Sequence, residues 1–227
     1  MTELASPPPS LEPLVERYAR MSKTFEPKAV DGVLRALDVA LAAVALVICS
    51  PLLVLSAIAL LGSGTRSVFY HGARVGRGGA IFTMLKFRTL KPDAEQRLGP
   101  YLGDELVQRT QAEYTGIGRW LRATQLDEIP QLWNVLRGDM SLVGPRPIRP
   151  RFFEELARDI PGYWQRLVVR PGITGFAQLR LTRDMTWAEK LAHDFEYIAD
   201  RGVRLYLEIV AETAWLVISG RAPRDVP

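Results

Sequence analysis

Apolar residues run from Val39 through Leu61 without one charged side chain, and about 20 such residues suffice to cross a bilayer as a helix. Arg35 and Asp38 stand just before the run, one helical turn apart. Their pairing would reduce the cost of a carboxylate at a membrane boundary. The run starts too far along the chain, and ends without a small-residue cleavage pattern, to read as a secretory signal. Ser50-Pro51 interrupts its middle. Pro51 deletes one helical hydrogen bond and its ring collides with the preceding turn, so a kink is expected there. Two topologies fit this pattern: a kinked spanning helix, or two half-helices that return to the face they entered.

After Gly62-Ser63-Gly64, the segments Val68-Phe69-Tyr70 and Ala80 to Leu85 predict two strands joined through Arg77-Gly78-Gly79. Those glycines read as hairpin chemistry rather than a phosphate loop, because no strand-to-helix context follows them. Residues 92–115 are polar and partly helical in pattern. Helical spacing covers Trp120 to Leu136, Trp187 to Ala199 and Val203 to Ile218. The first 27 residues contain Pro7-Pro8-Pro9, which removes backbone donors and resists helix, so this arm is expected to be flexible or peripheral. No internal repeat is present.

Composition changes this picture little. The chain has 227 residues, 48% of them apolar, enough for a cored domain plus a membrane element. Cys49 is the single cysteine and lies inside the apolar run, so no internal disulfide framework exists and a reducing compartment is favoured. An excess of 29 Lys and Arg over 25 Asp and Glu suits anionic lipid, nucleotide-sugar or nucleic acid equally.

Candidate chemistry gathers in three segments. In Lys86-Phe87-Arg88-Thr89, strand alternation puts Lys86 and Arg88 on one face, either as a phosphate clamp or as a charged strand edge. In Leu126-Asp127-Glu128-Ile129-Pro130, Pro130 is tolerated only in a first helical turn, so both acids should fall at a helix N-terminus, with Asp127 as the expected N-cap. Such an end presents backbone donors to an anion, and a divalent cation sharing the site would let phosphate approach the carboxylates. Adjacent helical residues diverge by about 100°, so the two acids should take separate roles, one attacking and one holding metal. In Gly144-Pro145-Arg146-Pro147, two prolines fix the backbone around Arg146 and lower the entropy lost in holding its guanidinium at a bound phosphate. Arg170-Pro171-Gly172-Ile173-Thr174-Gly175 reads as a rigid structural connection. His71 and His193 have no metal-ligand spacing to a second His or Cys, and no nucleophile elbow occurs.

Taken together, the Lys86–Thr89, Leu126–Leu136 and Met140–Pro147 segments resemble the bacterial sugar transferase family of monotopic phosphoglycosyl transferases, from about Arg35 to Ala222. The resemblance implies an α+β fold: a helix-rich catalytic domain over residues 65–227 with a small β-hairpin, preceded by a broken re-entrant membrane helix over residues 28–64. Arg35, Asp38, Ser50 and Pro51 reproduce the spacing of that membrane segment. It further implies Asp127 as nucleophile, Glu128 as a ligand for Mg²⁺, and Lys86, Arg88 and Arg146 as phosphate contacts. The expected partners are a UDP-sugar, a polyprenyl phosphate such as undecaprenyl phosphate, and membrane lipid. No nucleic acid is expected, a homodimer is left open, and the expected location is the cytoplasmic face of the bacterial inner membrane. The expected reaction moves a sugar 1-phosphate from the UDP-sugar to the lipid and releases UMP through an aspartyl-phosphosugar, an opening step of glycoconjugate or exopolysaccharide synthesis. Departures from the family pattern occur at Leu34, Gly72-Ala73, Glu113 to Gly116, and Leu181-Thr182. They leave a non-catalytic membrane scaffold as the rival reading, which predicts no UMP release from any UDP-sugar. A basic polyanion binder is the other rival, and it predicts tight, strongly salt-dependent binding.

Overall fold

The computed structural model describes residues 28–65, 67–98, 103–180 and 185–220. The arm expected over residues 1–27 and the departure at Leu181-Thr182 lie outside the described residues.

The apolar run folds as one helix, α1 (Val30–Gly62), and Pro51 lies inside it. Pro51 has no N–H to give the carbonyl of Val47, four residues back. The Ser50 hydroxyl donates to that carbonyl at 2.8 Å instead, which lets helical structure pass through the proline. At about 1.5 Å per residue, 33 residues make a rod of roughly 50 Å.

The predicted hairpin forms from β1 (Phe69–Val75) and β2 (Ile81–Phe87), antiparallel, with Tyr70 opposite Lys86 and Val75 opposite Ile81. Its turn is Arg77–Gly79, where Gly78 takes φ 65°. The polar stretch carries α2 (Ala94–Leu98) and α3 (Gly103–Glu113). The helix expected over Trp120 to Leu136 is instead divided: α4 (Gly116–Ala123) ends, Gln125 turns left-handed at φ 57°, a 3₁₀ turn spans Leu126–Glu128, and α5 covers Gln131–Arg137. Beyond it come β3 (Ser141–Val143), α6 (Pro150–Asp159), a 3₁₀ turn over Tyr163–Val168, and β4 (Gly172–Thr174). The chain then forms α7 (Phe176–Leu179), α8 (Trp187–Asp200) and α9 (Val203–Ile218). Helix α8 opens on a capping box between Thr186 and Glu189. The result is α+β, helix-rich around two small sheets.

The Arg170 to Gly175 segment acts as the connection expected of it, because β4 lies parallel to β3 with Ser141 opposite Gly172. A Cβ on Gly172 would stand 2.1 Å from the backbone nitrogen of Gly144, so only glycine permits this approach.

Helix α1 is built into the domain along one side. Leu34 packs with Val143, Tyr197, Tyr206 and Ile209; Ala42 with Met84, Leu132, Val135 and Met140; Leu60 with Phe87 and Leu121. Contacts before and after Pro51 therefore reach the same body. The opposite side of α1 is apolar and open, with Val47 at 74% and Ile48 at 71% exposure, continued by Val44, Val54, Leu55 and Ile58.

Asp38, expected at a membrane boundary, is enclosed by the domain. It is buried at 2% exposure, and one carboxylate oxygen accepts from Ser141 Oγ (2.9 Å), Leu142 N (2.8 Å) and Tyr206 Oη (2.8 Å). Arg35 stands 3.9 Å from the other oxygen. Its guanidinium donates to the carbonyls of Val135 (2.7 Å) and Leu136 (3.0 Å), where the negative end of the α5 dipole favours a cation. The two residues thus fasten α1 to β3, α9 and α5.

Candidate active site

The two acids sit in the 3₁₀ turn that precedes α5. Asp127 does not cap α5, correcting that expectation: the residue before the helix is Pro130, whose ring and backbone leave no side-chain acceptor there. Gln125 supplies the left-handed residue that redirects the chain out of α4. Apolar neighbours hold the turn from both sides. Leu126 packs with the cluster of Leu60, Phe87 and Leu121, and Ile129 with that of Ala42, Met84 and Val135. Both clusters contain α1, so the acids are seated against the apolar helix.

Asn134, fully buried on α5, ties this turn to the hairpin. Its amide oxygen accepts from Leu85 N (2.9 Å) and its nitrogen donates to Thr83 O (2.7 Å) and to Asp139 (3.2 Å). The register fixed in this way brings the next residue, Lys86, into direct contact with Glu128. Arg146 approaches the same carboxylate oxygen at 3.7 Å from its proline-flanked loop. Arg122, on α4, stands 3.5 Å from Asp127 Oδ2. Three cations and two carboxylates therefore share the site, an excess of positive charge that suits a diphosphate.

Burial alone would raise the pKa of Glu128, but the Lys86 ammonium and the Arg146 guanidinium outweigh it and hold the group at about 2, against an ordinary 4.5. Glu128 is thus ionised at every working pH. Asp127 lies deeper, at 1% exposure, while Arg146 leaves about a third of its side chain in solvent.

Of the residues expected from sequence, Lys86, Asp127, Glu128 and Arg146 converge. Arg88 behaves differently: its backbone nitrogen extends the hairpin by donating to Val68 O (2.9 Å), and its guanidinium stands 3.5 Å from Phe69 O. Arg122 escaped the sequence reading because a smooth helical pattern over Trp120 to Leu136 hid the break that folds α4 back toward the acids. A second group was missed altogether, the buried pair of Arg166 and Asp194 behind the Arg146 loop. At one departure from the family pattern, Glu113 accepts from Arg97 (2.6 and 3.0 Å) and joins α3 to α2.

Among the described residues no three carboxylate or imidazole groups converge, so a cage made of protein alone is absent. An ionised Glu128 beside Asp127 fits the sparser arrangement usual for Mg²⁺, one or two carboxylates completed by substrate phosphate and water.

Comparison with known proteins adds a family. The bacterial sugar transferase pattern matches residues 30–220. A UDP-glucose:undecaprenyl-phosphate glucose-1-phosphate transferase of Caulobacter vibrioides is 40% identical over 190 residues, covering 82% of this chain and 69% of its own. A UDP-N-acetylgalactosamine-undecaprenyl-phosphate N-acetylgalactosaminephosphotransferase of Aeromonas hydrophila is 35% identical over 194 residues, 84% of this chain but 44% of the relative. An exopolysaccharide production protein of Rhizobium meliloti is 35% identical over 189 residues, 79% of this chain and 82% of its own. The chain thus spans less than half the length of the Aeromonas relative.

Proposed function

We propose, because the chain belongs to the bacterial sugar transferase family, that it moves a sugar 1-phosphate from a UDP-sugar to undecaprenyl phosphate and releases UMP. The observation that carries this reading is the meeting of Asp127 and Glu128 with Lys86, Arg122 and Arg146 against an apolar helix.

In the reaction, an Asp127 oxygen attacks the sugar-bearing phosphorus. The bond from that phosphorus to the bridging oxygen breaks, and UMP leaves with the electron pair. The lipid phosphate then attacks the same phosphorus and returns Asp127 as a free carboxylate. A carboxylate nucleophile needs no deprotonation at neutral pH, so no histidine base is required. Lys86 and Arg146, already beside Glu128, would follow the negative charge of the phosphoryl in transfer. Arg122, 3.5 Å from Asp127, would add its guanidinium to the charges that meet the diphosphate. Mg²⁺ held by Glu128 with Asp127 nearby would neutralise the diphosphate. Arg88 is assigned to phosphate by the family resemblance, while its guanidinium lies beside Phe69 O.

Contacts on both sides of Pro51 with one body favour a helix held at a single face of the bilayer over one that crosses it. The open apolar side of α1 would lie among lipid chains, with the acids near the headgroups that carry the acceptor phosphate. The cytoplasmic face of the inner membrane, where UDP-sugars are available, is the location that agrees with this reading. The relatives named above act on glucose and N-acetylgalactosamine donors, so the sugar is best found by assay. Incubating the protein with undecaprenyl phosphate and each of several UDP-sugars should release UMP from at least one. Release from none, with a correctly folded chain, would support the scaffold reading instead.

A further inference from the structure

The prolines at 145 and 147 fix the backbone torsions of the loop that carries Arg146 but have no N–H with which to anchor it. Backbone bonds hold the two ends: Gly144 N donates to Thr174 O (2.8 Å), Gly172 N to Pro145 O (2.9 Å), and Val75 N to Ile148 O (2.9 Å). The carbonyl of Arg146 lies between them, and a side chain serves it. Arg166 Nη2 donates to it at 3.0 Å.

Every nitrogen of the Arg166 fork is used. Nε donates to Asp194 Oδ2 (3.0 Å), Nη2 also pairs with that oxygen (2.8 Å), and Nη1 donates to Tyr163 Oη (2.8 Å). Arg166 and Asp194 are both 5% exposed. A buried ion pair is a poor source of stability, because desolvation cancels much of its attraction and apolar residues of the same volume serve as well. What apolar residues could not do is aim a planar donor at one carbonyl twenty residues away. Arg166 also shares with Arg146, Pro145, Ile148 and Phe153 the wall of the small cavity under this loop.

We propose that Arg166, oriented by Asp194 and Tyr163, is a positioning residue that sets the direction in which the Arg146 guanidinium leaves its loop toward Glu128. This rests on the reading that Arg146 contacts the transferred phosphoryl group. Arg166 itself touches no substrate.

The test is a mutant cycle on UMP release, using undecaprenyl phosphate and the UDP-sugar that supports turnover. Arg166→Met with Asp194→Leu removes both charges together and leaves no lone buried ion. Arg166→Lys is the milder alternative, since one ammonium cannot span Asp194 and the Arg146 carbonyl. Each is made in the parent and in Arg146→Ala, with melting followed in parallel. In the parent we expect kcat to fall at least tenfold with KM for the UDP-sugar changed less than threefold. In the Arg146→Ala background the same changes should lower kcat less than twofold, because the group they aim is already gone. An equal fold-loss in both backgrounds would overturn the proposal in favour of a general structural role, and so would no loss in the parent. Full activity of Arg146→Ala itself would instead refute the phosphate role of Arg146, and positioning with it. If the double replacement fails to fold, the Lys variant decides by the same comparison.

Discussion

Asp38 joins the membrane helix to the domain, and its removal gives a measurable test of that join. One of its oxygens accepts from Ser141 Oγ, Leu142 N and Tyr206 Oη at 2.8 to 2.9 Å, and all three donors are buried or nearly so. Asp38→Ala strands them away from water. A stranded buried donor costs about 1–3 kcal/mol, while removal of a buried carboxylate returns part of the loss, so about 3–5 kcal/mol is expected in all. For a chain of this length each kcal/mol moves Tm by roughly 2–4 °C, which puts the shift near 10 °C. Asp38→Asn keeps an acceptor oxygen for the three donors and should lower Tm by less than about 4 °C. Intrinsic-fluorescence melting in a mild detergent separates the two. If Asp38→Ala melted within about 2 °C of the parent, these bonds would not fasten α1, and the account of how the helix is held would fail.

Three further outcomes follow from the same geometry. Arg146→Lys keeps the charge but loses the planar fork, so UMP release should drop at least tenfold while Tm stays within about 2 °C; parent-like kinetics would assign Arg146 to an ordinary surface pair. Glu128 has its folded pKa depressed to about 2, so its stabilising charge is fully present above its usual 4.5 and is lost only as pH falls toward 2. The activity profile from pH 5 to 8 should then contain no step from this residue, and Glu128→Gln should reduce the rate without altering the profile's shape. Replacing Pro51 by Leu restores the missing helical bond and should push α1 toward spanning, read as periplasmic labelling of a cysteine at position 3 or 224 in intact cells. Labelling of the residue-3 tag in the parent would show that the helix already spans.

The elements legible in the sequence were those with a strong, uninterrupted period. The α9 helix falls on Val203–Ile218 as expected, and α8 ends one residue later than its pattern suggested. The hairpin was placed within a few residues, since Gly78-Gly79 marks a turn whatever surrounds it. The break between α4 and α5 was hidden because Thr124 and Gln125 are not turn formers, and only the fold shows that Gln125 adopts the left-handed region. Lys86, Asp127, Glu128 and Arg146 stood out by local chemistry, the acids beside Pro130 and the arginine between prolines. Arg122 and Arg166 did not, because a lone arginine in a helix or short turn carries no local sign of what it meets in space. The surroundings of Asp38 were illegible for a related reason: its partners Ser141, Leu142 and Tyr206 lie more than 100 residues away.

The claim on which the rest depends is that Asp127 carries the sugar phosphate. Incubating the protein with a UDP-sugar that supports turnover, radiolabelled in the sugar and without lipid acceptor, then denaturing and separating the chain, tests it most directly. The account predicts label on the parent chain approaching one sugar per protein, chased off by undecaprenyl phosphate, and no label or UMP release from Asp127→Asn. Near-parent turnover by Asp127→Asn would contradict it and leave direct attack by the lipid phosphate as the mechanism.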